Sequence, residues 1–207
     1  MLLNIDTALI SWLSGNHPYR VQVAGATLFD VVNGETPPKD NYIITITQFY
    51  ERTANHFDDV WGRYFDNRSK SILLFLALVE IGEMASGEKL ESINELIGLR
   101  SDLSHLEELG WVERTGLNET NRQAHGILFD NNIWRLRVGG FVFWLCDVLF
   151  FRRNLDGFDS WLNKSISEND VFPKHNWQSL MKWVTPLIKE KSLEYLAQLY
   201  SEEFSKG

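Results

Sequence analysis

Between Lys70 and Val79 the chain is apolar around the whole helical turn, unlike an ordinary surface helix. Positions 72–79 read Ile-Leu-Leu-Phe-Leu-Ala-Leu-Val. A helix that is apolar on all sides is buried on more than one side. The pattern therefore predicts a central helix against which neighbouring elements pack.

Two further helices are predicted after the central one. Ser86 and Gly87 introduce a short helix over 88–97, and Gly98 breaks it. The next helix carries leucines at spacings of four, three and three residues, namely Leu99, Leu103, Leu106 and Leu109. These spacings give one apolar face, and Gly110 ends the helix.

A β-rich stretch follows this third helix. Strand patterns at 111–114, 126–130 and 133–138 enclose a polar loop at 115–125. Three helices followed by a β-hairpin are the element order of a winged helix-turn-helix. A further helix is predicted from Gly139 and Gly140 to Arg152 and Arg153, because arginines suit a helix C-terminus.

Amphipathic helices are predicted before this region. The first covers 6–14 and ends at the Gly15 turn, and Pro18 then begins a second that runs to Val32. A turn-rich linker at 33–41 leads into a third helix from about Thr47. The predicted buried positions are Leu9, Ile10, Trp12, Leu13, Val21, Ala24, Leu28, Val31, Val32, Tyr50, Ala54, Phe57 and Trp61.

The segment 154–207 has helical patterns of its own. An apolar stripe runs from Trp177 to Val184, and Thr185 with Pro186 resembles the start of another helix over 187–204. Two interpretations remain open. These helices form a small bundle on the winged helix, or Trp161, Trp177 and Trp183 present a docking surface to a partner protein.

Residues 13–22, Leu-Ser-Gly-Asn-His-Pro-Tyr-Arg-Val-Gln, resemble the TGGHPYLLQ stretch in the lid of STAND-type AAA+ ATPases. These are prokaryotic relatives of the NACHT and NB-ARC switch proteins. The similarity continues in register through Ile46, Thr47, Phe57 and Trp61, and LEELGWVER at 106–114 is similar to the family's helix-to-wing junction. Together the matches cover roughly 9–153.

The resemblance implies a mainly α fold with a small β wing. In this arrangement a winged helix-turn-helix is flanked by an N-terminal helical lid and a C-terminal helical extension. The implied boundaries are 1–66 for the lid and linker helix, 67–153 for the winged-helix domain and 154–207 for the extension.

The resemblance also implies that Pro18 packs on the adenine of a nucleotide, with His17 beside it. The family's second glycine is Asn16 here, and the residues alone favour a helix start at Pro18 with His17 as its cap over contact with a nucleotide. The chain contains neither the G-x-x-x-x-G-K-[ST] phosphate loop nor a Walker B strand, so we expect no ATP hydrolysis by this chain alone and no cofactor of its own.

Charge and composition narrow the classes of partner. The net charge is −8, and 1–67, 68–153 and 154–207 each carry more acidic than basic residues. Aromatic residues make up 13% of the chain, which suits a protein interface. The single cysteine, Cys146, lies in an apolar run and is predicted to be a buried thiol in a reducing cytosol. With no basic signal sequence and no apolar run long enough to span a bilayer, the prediction is cytoplasmic.

A winged helix raises the question of DNA binding. The candidate contacts are Arg100, Ser104 and His105 on the recognition helix, and Arg114, Arg122, Arg135 and Arg137 on the wing. The recognition helix pairs one arginine with three carboxylates, which is a poor surface for phosphates. His56, Asp58 and Asp59 are too close in sequence to converge on a metal ion, so they are predicted to form a solvated face of their helix. No catalytic constellation is recognised either.

The favoured prediction is a non-catalytic regulatory module that binds a protein partner. The resemblance to STAND ATPases suggests a setting in prokaryotic defence or signalling. The alternative is a winged-helix DNA-binding transcriptional regulator.

Overall fold

A computed structural model of the chain describes residues 4–34, 40–88, 99–117, 125–129, 131–148, 174–189 and 193–205. These residues are mainly helical and include a small antiparallel sheet. The elements are α1 (Asn4–Ser14), α2 (Pro18–Val32), α3 (Asn41–Arg63), α4 (Asn67–Ser86), α5 (Leu99–Glu108), β1 (Val112–Gly116), β2 (Ile127–Phe129), β3 (Asn132–Leu136), α6 (Gly139–Cys146), α7 (Lys174–Lys189) and α8 (Leu193–Ser205).

The contacts divide the chain into two units, each assembled from separate stretches of sequence. The first unit comprises 1–62, 138–147 and 191–207, and the second comprises 63–137 and 148–190. The sequence predicted three consecutive segments instead. That division by sequence stays a prediction, whereas the units describe which residues pack together.

In the first unit, α1 packs against α2, α6 and α8. Two polar contacts also fasten α6 and its C-terminal end to α3. The Tyr50 hydroxyl donates a hydrogen bond to Asp147, and the Trp144 indole Nε1 donates to Asp58 at 2.8 Å. The prediction that Cys146 is buried is confirmed.

The second unit is built around α4, as the apolar run predicted. Thirteen consecutive residues from Ser71 to Glu83 are buried. The Asp66 side chain caps the helix by accepting a hydrogen bond from the Ser69 amide at 2.7 Å, and Gly87 ends it in the left-handed conformation. Strand β3 and helices α5 and α7 pack against α4, so its apolar sides are covered.

The sheet has the strand order β1-β3-β2 and is antiparallel throughout. Val112 lies opposite Leu136, and Ile127 lies opposite Trp134. Two residues join β2 to β3, and the second of them, Asn131, has a φ of 58°. Asparagine tolerates this left-handed conformation, which tight hairpin turns require.

Several predicted elements differ from those observed. Helix α3 begins at Asn41 rather than near Thr47, and Thr185 and Pro186 lie inside α7 rather than at a new helix start. Packing of α7 on α4 favours a continuous helix although proline lacks the amide that the helix would use. Val32 and Leu109 were predicted to lie on apolar faces but are 55% and 53% exposed. Val32 is the last residue of α2, and Leu109 follows the end of α5. Residues 89–97 of the predicted short helix, and residues 149–153 of the helix predicted to end at Arg153, lie outside the described residues.

Two glycines provide a test of the packing in the first unit. A Cβ on Gly140 would lie 2.4 Å from the Phe49 ring and 3.0 Å from the Leu13 carbonyl oxygen, whereas a Cβ on Gly25 would meet nothing within 4 Å. We expect Gly140→Ala to lower the free energy of unfolding by about 1–3 kcal/mol through overpacking. We expect Gly25→Ala, the matched control, to raise it by about 0.5–1 kcal/mol through helix propensity. Urea denaturation measures both, and equal effects of the two changes would contradict the packing described.

Candidate functional site

The turn between α1 and α2 has an unusual backbone. Gly15 and Asn16 have φ values of 57° and 61°, so two consecutive residues are left-handed. The Asn16 amide donates to the Ser14 hydroxyl at 3.0 Å, and the Ser11 hydroxyl donates to the Asn16 side-chain oxygen at 2.8 Å. These hydrogen bonds hold the turn. His17 is the N-cap residue of α2, and Pro18 is its first residue, as predicted.

A buried arginine lies directly behind this turn. Arg20 is 4% exposed, and its Nε donates to the Ser14 main-chain oxygen at 2.8 Å. Its guanidinium carbon lies 5.9 Å from the centroid of the Phe57 ring on α3, within cation–π range. Burial lowers the pKa of Arg20 to about 10, so the side chain is still protonated at neutral pH. Arg20 thus places a positive charge under the turn.

Two histidines and a tyrosine lie beside Arg20. The ring of His56 on α3 has its centroid 6.1 Å from that of His17 and 5.3 Å from that of Tyr19. Burial, followed by the charge of Arg20, lowers the pKa of His17. Burial, Arg20 and His17 lower the pKa of His56, while Asp59 acts in the opposite direction. Both shifts favour the neutral form of the imidazole.

We call His17, Pro18, Tyr19 and His56 the histidine surface. His17, Pro18 and Tyr19 are exposed, and His56 is half-buried. Neutral rings can stack on a planar ligand and form hydrogen bonds with it. Among the described residues no group of three or more His, Cys, Asp and Glu side chains is placed to hold a metal ion. The chemistry of this surface therefore suits a ring-containing ligand.

Of the residues predicted for nucleic-acid contact, Arg100, Ser104 and His105 lie on α5, and Arg114 and Arg135 lie in the sheet. Both arginines of the sheet are paired with carboxylates. Arg114 Nε lies 3.2 Å from Glu107 Oε1. Arg135 Nη2 lies 2.5 Å from Oε1 of Glu113, its cross-strand neighbour. The guanidinium carbon of Arg114 also lies 5.8 Å from the centroid of the Trp134 ring. The other candidates are Arg100 and His105, both exposed, Ser104 and Arg137, both half-buried, and Arg122, outside the described residues.

Two of the three tryptophans named for a docking surface, Trp177 and Trp183, have internal contacts. Trp177 is 2% exposed and packs edge-on against Phe75 at a centroid distance of 5.2 Å. The half-buried ring of Trp183 occupies the space above Gly82, where a Cβ would come within 2.5 Å of it. Both residues secure α7 to α4, as in the bundle interpretation. Trp161 lies outside the described residues.

Comparisons with known protein families, curated proteins and solved structures find no match to this chain. Within the described residues, no helix is both long and apolar enough to cross a membrane.

Sequence reasoning gave Arg20 no role and assigned His56 only to a solvated face. Arg20 shares the buried stripe of α2, which comprises Arg20, Ala24, Thr27, Leu28 and Val31. The spacing of Arg20 from the apolar residues of α2 could therefore have predicted from the sequence that this arginine is buried. The approach of His56 depends on how α3 lies against the turn, which no local pattern reports.

The lowered pKa of His56 has a consequence for stability. Because the folded state binds protons less readily than the unfolded chain, the free energy of unfolding should fall as pH drops through the ordinary histidine pKa. We expect this fall between about pH 7 and about pH 5 to be smaller in His56→Gln than in the unaltered protein. Urea denaturation at each pH measures it. Asn55→Gln, at the exposed preceding residue, is the control, and identical slopes in all three proteins would refute the assignment.

Proposed function

We propose that this chain is a non-catalytic regulatory module that binds a protein partner and corresponds to the lid and winged-helix half of a STAND-type ATPase. In that role, α1 to α3 act as the lid and its linker helix, and α4 to β3 act as the winged helix. The phosphate-binding half lies outside this sequence. The setting we propose is a prokaryotic defence or signalling system in the cytoplasm.

The observation that carries this proposal is the internal pairing of charges on α5 and the sheet. Arg114 and Arg135 face Glu107 and Glu113. Arg68 forms a two-pronged contact with Asp102 on α5, at 2.9 and 2.6 Å. A surface that binds DNA needs cations directed at phosphates. Here these cations are compensated within the chain, and the net charge of −8 further favours a protein over a nucleic acid.

The turn before α2 gives a second line of support. The family motif has glycine where this chain has Asn16, and Asn16 adopts the left-handed conformation that glycine also adopts readily. Asn16 therefore holds a backbone conformation that a glycine at this position would also accept. By this analogy, exposed His17 and Pro18 contact the adenine of a nucleotide held on the partner ATPase core.

The proposal predicts a hetero-complex. Purified from its own cells and analysed by size-exclusion chromatography with light scattering, the chain should elute with a second protein that carries a phosphate-binding loop. Mass spectrometry identifies that protein. We expect the chain alone to hydrolyse no ATP, because it has no phosphate-binding loop. A monomer that never associates with such an ATPase would count against the proposal.

The alternative is a winged-helix DNA-binding regulator, and the exposed positions of Arg100 and His105 on α5 favour it. Under our proposal, a mobility-shift assay at about 50 mM salt should show no retardation of duplex DNA by the unaltered protein. The double variant Glu107→Gln/Glu113→Gln, which uncovers Arg114 and Arg135, should gain weak sequence-independent binding. Retardation by the unaltered protein that Arg100→Ala abolishes would support the DNA-binding alternative instead.

A further inference from the structure

A groove runs between α3 and α8 in the first unit. Its volume is about 600 Å³, which is within the range of binding pockets. Helix α3 contributes Ile43, Ile44, Gln48 and Glu51 to its lining, and α8 contributes Tyr195 and Gln198. The isoleucines are half-buried, and Glu51 and Gln198 are exposed. The groove is therefore accessible, with aliphatic side chains in its wall and polar groups at its rim.

The lining residues follow helical spacing. Ile44, Gln48 and Glu51 are separated by four and three residues, so they form one stripe along α3. Tyr195 and Gln198 are separated by three residues on α8. A groove lined by stripes of two helices can hold a third helix, whose own anchors repeat every three to four residues.

The charge of the groove is uncompensated. Within the described part of the chain, the Glu51 carboxylate has no hydrogen bond or ion pair. Arg52, the next residue, forms an ion pair with Asp30, with Arg52 Nη2 at 3.0 Å from Asp30 Oδ2, so it does not neutralise Glu51. On α8, Gln198 donates a hydrogen bond to Glu202, which places a second carboxylate next to the groove. An acidic rim beside aliphatic side chains complements a partner that is both basic and apolar.

We propose that this groove binds one amphipathic helix of a protein partner, with aliphatic side chains over Ile43 and Ile44 and a lysine or arginine opposite Glu51. The inference rests on the proposed function in one respect, namely that the partner is a protein. The surface is distinct from the histidine surface and from α5. A phosphate-bearing ligand is disfavoured here because Glu51 and Glu202 repel it.

The test uses two synthetic helical peptides, about four turns long, labelled with fluorescein. One has leucines on one face flanked by lysines, and in the other each lysine is replaced by glutamate. By fluorescence anisotropy, the lysine peptide should bind the full chain and the glutamate peptide should not. We expect Glu51→Lys to weaken binding of the lysine peptide about tenfold, because the rim charge is reversed.

The matched control is Glu108→Lys, which makes the same charge change at an exposed carboxylate of α5. It should weaken peptide binding less than about twofold, since nothing in the groove is altered. Circular dichroism should confirm that both variants keep their helix content. Equal weakening by the two variants, equal binding of the two peptides or no binding at all would overturn the proposal.

Crosslinking locates the bound peptide independently of charge. A photoreactive amino acid at Gln48, in the groove, should capture the lysine peptide, and one at exposed Gln22 of α2 should not. Equal capture from both positions would overturn the assignment.

If Glu51→Lys leaves the hetero-complex with the ATPase partner intact, the groove assignment fails and the regulatory function stands. If the unaltered chain forms no such complex, the regulatory function itself fails.

Discussion

The burial of α4 on all its sides is the constraint on which the second unit depends. Thirteen consecutive buried residues cannot be covered by one neighbour, and β3, α5 and α7 each take part. The same burial constrains polar groups. Glu83, whose side chain is 1% exposed, accepts a hydrogen bond from the Gly126 amide at 3.0 Å and lies 3.5 Å from His125 Nδ1. Because an unpartnered buried carboxylate is costly, this contact secures the start of β2 to the central helix.

In the first unit, the buried positive charge of Arg20 connects two structural elements, as Glu83 does in the second unit. Arg20 belongs to the inward stripe of α2, yet its guanidinium stays protonated and bonds to the Ser14 carbonyl oxygen. The arginine therefore connects the left-handed turn to the helix that follows it. Burial, and after it the charge of Arg20, lowers the pKa of both His17 and His56. Arg20 thus helps to hold the turn and contributes to the electrostatics of the histidine surface.

The proposed function rests on which charged side chains are paired within the described part of the chain. Arginine and lysine side chains are the usual means by which a protein holds the phosphates of a nucleic acid. Here Arg114 and Arg135 are bonded to carboxylates of neighbouring elements instead. In contrast, Glu51 on α3 has no such partner in the described part of the chain. Among the described residues, Arg114 and Arg135 are compensated within the chain whereas Glu51 is available, and this arrangement favours the proposed basic protein partner over a nucleic acid.

The sequence by itself determined the elements that local chemistry specifies. Apolar periodicity gave α4 and α5, Pro18 gave the start of α2, and Gly110, with a φ of 77°, follows the end of α5. Tertiary structure alone decided the β1-β3-β2 order, the burial of Trp177 and the approach of His56 to His17. It also extended α7 through Pro186, where a local signal indicated a helix start. Turns and periodicity act over a few residues, whereas pairing and burial depend on contacts between residues far apart in the chain, so spacing in the sequence does not specify them.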